Sequence, residues 1–181
     1  MSWPRALPWI VLLLAAGLLL GDARPPGGWP SWLGGGDGGA LRPGGSASAR
    51  VSRVVDGDTI AVRVDGADER VRYIGVDTPE TVKPNAPVEC FGPAASALNR
   101  ALVRTGERVT LRFDRELRDR YGRLLAYVYR ERDALFVNAR LVGAGAARTL
   151  PIAPNTAHAA DLARLQAAAR AAGRGLWGAC A

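Results

Sequence analysis

The chain has 181 residues, 48% of them hydrophobic, with 24 Lys plus Arg against 17 Asp plus Glu and a net charge of +7. That length suits one domain with a real interior plus additional segments, and a single histidine with two cysteines excludes a zinc centre built from a Cys/His cluster. Lys83 is the only lysine, so the positive excess is arginine, whose planar fork suits phosphate or carboxylate; the expected partner is a polyanion, nucleic acid first and an anionic membrane surface second.

Residues 1–23 read as an export signal. Arg5 gives a positive start, Trp9–Leu20 is an unbroken apolar run, and Gly21-Asp22-Ala23 offers small residues for cleavage. The run is too short for a membrane span, which needs about 20 residues; an uncleaved anchor is the alternative. No cysteine follows the run, so a lipoprotein anchor is not indicated. A secreted or periplasmic protein is expected. Residues 24–50 are dense in glycine, proline and serine and read as a flexible linker, in which Trp29 and Trp32 are unusual.

The folded domain is expected over 51–181. Val51–Val55 is a short strand, Asp56-Gly57-Asp58 a tight turn, and Thr59–Val64 an alternating strand. Asp65-Gly66 signals a hairpin, with a return strand from about Glu69 to Val76. Thr78-Pro79 stops that strand, and Thr81–Glu89 is an extended loop. Phe91-Gly92-Pro93 opens a helix over Ala94–Arg104. Arg108–Phe113 is a strand, Asp114–Arg123 a charged loop, and Leu124–Tyr129 a strand. Leu135–Val142 has helical spacing, and Thr156–Ala172 is a helix capped by Asn155 or Thr156 and stopped at Gly173. These elements predict a mainly β domain, a closed five-stranded barrel of the OB-fold type with about three helices.

Three groups of residues carry chemistry. Asp56-Gly57-Asp58 alone is ordinary turn composition. In a meander with its hairpin at Asp65-Gly66, however, the start of the second strand and the end of the third share one edge, so Asp58 and Asp77 converge. Two carboxylates with a backbone carbonyl and water make the hard-oxygen environment that calcium prefers. Arg72 and Glu80 lie beside them, suited to stabilising a phosphodiester and to accepting a proton from water. A second arginine is available from Asp119-Arg120-Tyr121-Gly122-Arg123, where Gly122 permits a bend; the alternative there is a solvated basic loop. Cys90 and Cys180 are the only thiols, and in an exported domain they most simply pair.

The ordered set Val55–Thr59, Arg72, Val76–Thr81, Phe91-Gly92-Pro93, Tyr121-Gly122-Arg123, Leu125-Ala126-Tyr127, Asn138 with Leu141-Val142, and Gly175-Leu176-Trp177 resembles the staphylococcal nuclease (thermonuclease) family from Val51 to Trp177. The resemblance implies that Asp58 and Asp77 bind Ca2+ through their side chains and Thr78 through its carbonyl. Arg72 and Arg123 would hold the scissile phosphate, Glu80 would be the candidate general base, and Arg120 and Tyr121 would contact the neighbouring phosphate. The implied activity is calcium-dependent cleavage of DNA and RNA that leaves 3′-phosphates, by a monomer with no stable protein partner. One departure stands out. Leu150 and Ile152 fall where the family's best-known member has tyrosines, which predicts weaker base stacking. His158 reads as structural. The rival classes are a catalytically silent OB-type binding module and a surface adhesin using the tryptophan linker; the complete set Asp58, Arg72, Asp77, Glu80 and Arg123 favours the enzyme.

Overall fold

A computed structural model describes residues 41–81 and 87–180. The expected export segment, Trp29, Trp32 and most of the linker lie outside the described residues, as does the centre of the 81–89 loop. Among the described residues no helix is long and apolar enough to cross a membrane.

Five strands close the barrel in the order β1 (Ser46–Val54), β2 (Thr59–Val64), β3 (Ala67–Tyr73), β6 (Leu124–Arg130), β5 (Arg108–Arg112), with β1 and β5 sealing it. Neighbours run antiparallel except β3 and β6, which are parallel. This is the mainly β, OB-type architecture expected. Alternation drives it. Val62, Val64, Val71, Tyr73, Val109, Leu111, Leu124, Ala126 and Val128 all bury their side chains. Each large apolar side chain so buried contributes about 1.5–3 kcal/mol.

Three boundaries differ from the sequence expectation by more than two residues. The strand expected from Val51 begins at Ser46, because Ala47 and Ala49 alternate inward and residues 46–50 pair with Arg108–Arg112. A stretch that reads as linker by composition is therefore sheet. Next, the return strand breaks at Ile74. Gly75, at φ +76°, turns the chain into a separate β4 (Gly75–Asp77), which pairs with β7 (Arg148–Leu150). A side chain at Gly75 would also stand 2.8 Å from Leu162 Cδ1, so glycine is needed twice over. Finally, the long C-terminal helix starts at Ala159 rather than Thr156. Asn155 does not cap it. Its buried amide instead accepts from Glu116 N at 2.8 Å and donates to Glu116 O at 2.9 Å.

Among the described residues the helices are α1 (Gly92–Leu102), α2 (Val137–Gly143), α3 (Ala159–Ala171) and the short α4 (Leu176–Ala179), against about three expected. Buried asparagines fix two of them to the barrel. Asn99 on α1 accepts from Tyr73 Oη at 3.0 Å and donates to Asp56 O at 2.9 Å. Asn138 on α2 accepts from Val128 N and donates to Ile74 O. His158 sits edge-on to Tyr127, with ring centroids 4.5 Å apart, in agreement with a structural role.

Cys90 and Cys180 form a disulfide across 90 positions of sequence, tying the end of the chain to the segment before α1. Closing so long a loop in the unfolded chain is worth about 4 kcal/mol in the chain-entropy account. Reduction, or Cys180→Ser, is therefore expected to lower the melting temperature by at least several degrees in differential scanning calorimetry. An unchanged value would argue against a stabilising bridge.

Candidate functional site

The β2–β3 hairpin decides where the acidic residues meet. Thr59 pairs with Arg72, and Tyr73 N donates to Asp58 O at 2.9 Å, so the turn before β2 lies against the end of β3. Gly57 allows the next approach: a side chain there would collide with Thr78 Oγ1 at 2.5 Å. With both in place, Asp56, Asp58, Arg72, Asp77, Thr78, Glu80 and Arg123 line one cleft of about 110 Å³.

Asp58 is the most enclosed of the carboxylates, at 6% exposure. Its Oδ2 accepts from Thr78 N at 2.9 Å and Thr78 Oγ1 at 3.0 Å and pairs with Arg72 Nη1 at 3.2 Å. Its Oδ1 accepts from Thr59 Oγ1 at 3.1 Å. Arg72 is held from both sides. Nη1 also donates to Val76 O at 2.7 Å and Tyr73 O at 3.1 Å, and Nη2 donates to Asp77 Oδ1 at 3.1 Å. Among the described residues its contacts are made by the two Nη atoms.

Arg123 is positioned by Asp119, to which the sequence reading assigned no role. Asp119 Oδ1 accepts from Tyr121 N at 2.9 Å and Arg123 N at 3.0 Å, while Oδ2 takes Arg123 Nε at 2.7 Å. Gly122, at φ +79°, completes the turn. An aspartate whose side chain accepts from later amides is a common turn device, and Asp-x-x-Gly was its visible signal. The same loop is anchored by Arg118, which bonds Glu69 through both terminal nitrogens. Arg120 Nη2 donates to Tyr121 Oη at 2.7 Å. Tyr121 is 69% exposed and, with Arg72, Arg123, Leu125, Leu150 and Ile152, borders an adjoining cavity of about 530 Å³.

Glu80 is carried by a different kind of support. Its backbone is clasped by Glu89: Glu89 N donates to Glu80 O at 2.9 Å, and Glu80 N donates to Glu89 Oε2 at 3.2 Å. Glu80 Oε1 accepts from Thr81 N at 2.9 Å. Gly92 lets α1 press against this segment, since a Cβ there would lie 2.9 Å from Glu80 O.

Two carboxyls of the cleft are shifted upward. Burial, and then repulsion from Asp58, pushes the Asp56 carboxyl up to about 6. Burial also raises Asp77, against the pull of Arg72. Burial leads both shifts, and the neighbouring Asp58 adds to each. Among the described residues no three His, Cys, Asp or Glu side chains are grouped closely enough to cage a metal alone. A cation here would rest on Asp58 and Asp77, a main-chain carbonyl and water. That all-oxygen set fits a hard divalent ion.

A family model described as "Staphylococcal nuclease homologue" matches residues 70–179. The thermonuclease of Staphylococcus intermedius is 54% identical over 105 residues, covering 58% of this chain and 61% of the relative. The thermonuclease of Staphylococcus hyicus is 41% identical over 128 residues, covering 71% and 74%. Endonuclease YncB of Bacillus subtilis (strain 168) is 47% identical over 108 residues, covering 59% and 50%. The chain thus spans half to three quarters of the length of these curated relatives.

The Asp56 shift has a signed consequence in calcium-free buffer. A carboxyl raised in the folded state binds its proton more tightly there than when unfolded. Stability is then greatest below the unfolded value and is lost as pH rises to about 6. Melting temperatures measured from pH 4 to 7 should fall across that window. Asp56→Asn should flatten the fall, and a wild-type curve rising through the same window would contradict the assignment.

Proposed function

The chain belongs to the staphylococcal nuclease family, and we propose that it is an exported, calcium-dependent phosphodiesterase cleaving DNA and RNA to 3′-phosphates. The observation that carries this reading is the single cleft shared by Asp58, Arg72, Asp77, Glu80 and Arg123. An inactive binding domain would have no need to hold two guanidinium groups and a carboxylate beside an acidic pair.

Asp58 and Asp77, with the Thr78 carbonyl, would hold Ca2+. The bound ion supplies positive charge against the phosphate oxygens and relieves the repulsion between the carboxylates. The chain's own residues then have distinct tasks. Arg72 and Arg123 flank the scissile phosphate and neutralise the charge that accumulates on it in attack. Arg72 is held by two carboxylates and two carbonyls and Arg123 by the Asp119 carboxylate, so little reorganisation is needed as that charge develops. Glu80 accepts a proton from the attacking water as the new oxygen–phosphorus bond forms. The phosphorus–5′-oxygen bond breaks, leaving a 3′-phosphate and a 5′-hydroxyl that takes its proton from solvent. Arg120 and Tyr121 contact the neighbouring phosphate at the rim of the larger cavity. The family resemblance implies that assignment, and their shared exposed loop, with the Arg120 guanidinium 4.8 Å from the Tyr121 ring centroid, is compatible with it.

Plasmid DNA incubated with the full chain should be cut with Ca2+ and left intact with excess chelator. Arg123→Ala should slow cutting by about 10²–10³-fold and Glu80→Gln by about 10²–10⁴-fold, with both variants still folded by circular dichroism. DNA retarded on a gel without cleavage would establish the binding-module reading in its place.

Leu150 and Ile152 are 39% and 61% exposed at the edge of the larger cavity, where they offer a base an aliphatic wall. Aromatic stacking is worth about 1–3 kcal/mol per base. Ile152→Tyr should therefore lower the Kd for a short oligonucleotide by about 5- to 150-fold in a chelated binding assay, with kcat little changed. Equal affinities would place the base elsewhere.

A further inference from the structure

We propose that the outward face of β1–β3 beside Arg72 is a phosphate track, with Arg70 and Arg53 gripping the nucleic-acid strand where it leaves the cleft. The proposal rests on the nuclease reading above and extends that site along the sheet.

Strand parity places the residues. Asp68, Arg70 and Arg72 share the outer face of β3, and Arg70 stands two positions from Arg72, about 7 Å along the strand. Arg70 pairs with Ala61 on β2, and Ala61 pairs with Arg53 on β1. One rung across the sheet therefore reads arginine, alanine, arginine. The two arginine backbones are about 10 Å apart, with only a methyl group between them. The next rung towards the cleft pairs Thr59 with Arg72.

Arg53 reaches this face through an irregularity. Val51 is buried, so strict alternation would send Ser52 out and Arg53 into the barrel. The register of β1 shifts between Val51 and Arg53, and Ser52 and Arg53 are both exposed. A bulge re-aims a side chain; this one turns an arginine outward next to Ala61.

Charge pairing separates these two residues from the rest of the sheet. Arg72 is paired with Asp58 and Asp77, and Arg63 with Asp68; Arg50 donates to Gly106 O. Glu69, the other acid of β3, is taken by Arg118. Arg53 and Arg70 are exposed and have no acidic partner among the described residues. Two guanidinium groups carried on one face by backbones about 10 Å apart, with no acid between them, leave a local excess of positive charge. A polyanion threaded from the Arg72–Arg123 cleft would offset it, and a small residue between the arginines leaves room for its backbone.

The test measures binding of a fluorescein-labelled 12-nucleotide single-stranded DNA to the full chain in chelator, across a salt series. A charge-matched control, Arg140→Gln/Arg164→Gln, alters exposed arginines on α2 and α3. Arg53→Gln/Arg70→Gln should weaken binding on the order of 10-fold and reduce the slope of log K against log salt by about 1.4, two phosphate contacts at about 0.7 each. The control should change neither by as much. Equal losses in both double variants would overturn the track and leave only a diffuse net-charge effect. A parallel series with phosphatidylcholine vesicles containing about one third phosphatidylserine supplies the other source of anionic phosphate. Loss of vesicle binding with DNA binding intact would overturn the proposal in favour of a membrane face. Wild-type cleavage with an unaltered slope in the variant sinks the track alone. Wild-type binding without cleavage, lost in the variant, sinks the catalytic reading and supports the track.

Discussion

A buried carboxylate organises this end of the barrel. Asp58 is nearly inaccessible, and a charge so placed costs several kcal/mol unless hydrogen-bond donors surround it. The donors come from three places: Thr59 at the start of β2, Arg72 at the end of β3, and Thr78 after β4. None of these segments can be displaced without stripping a partner from the charge. Gly57 is part of the same constraint, because only a residue without a side chain lets the turn close on Thr78. The position of Arg72 therefore follows from the requirement to satisfy Asp58, and the Val76 and Tyr73 carbonyls complete its fixation.

The remaining parts of the site are attached to this centre by polar side chains that would be costly to bury for packing alone. Asn99 joins α1 to the Asp56 carbonyl, and Asn138 joins α2 to the carbonyl of Ile74 at the strand break. Asn155 joins the segment before α3 to Glu116 on the far wall of the larger cavity. Each amide uses both its acceptor and its donor, Asn99 and Asn138 on two different residues and Asn155 on the main-chain N–H and carbonyl of Glu116. Each therefore fixes a direction as well as a contact. Side chains held on rigid elements by such secondary contacts keep the geometry that the proposed electrostatic stabilisation of a reacting phosphate would demand.

The order of strands, the hairpin at Asp65-Gly66 and the convergence of Asp58 with Asp77 were all legible, because they depend on local alternation and turn chemistry. What was not legible depends on long-range partners. Ser46–Arg50 reads as low-complexity linker until β5 lies beside it. The return strand reads as continuous through Ile74 until the positive φ of Gly75 and the crowding of Leu162 are seen. Asn155 has the chemistry of a helix cap, yet its amide is drawn to Glu116, which lies 39 positions away in sequence. In the site itself, residue types alone revealed the carboxylates and arginines. Asp119 and Glu89, which aim Arg123 and hold Glu80, carry no chemistry of their own and acquire roles only through contacts.

The two supports differ in kind, and the difference matches the work asked of each group. Arg72 and Asp58 are locked from several directions by the barrel, as suits groups whose charges must not move when the phosphate does. The backbone of Glu80 is clasped by Glu89, next to the Cys90 bridge, and backed by Gly92. In the proposed mechanism Glu80 takes a proton from water, and such a carboxylate needs a fixed origin for its side chain. The disulfide ties Cys90, the neighbour of Glu89, to Cys180 outside the barrel. The Glu89 clasp acts on the main chain of Glu80 and so adds no donor to the carboxylate that would take the proton; a donor added there would stabilise its charged form and weaken it as a base.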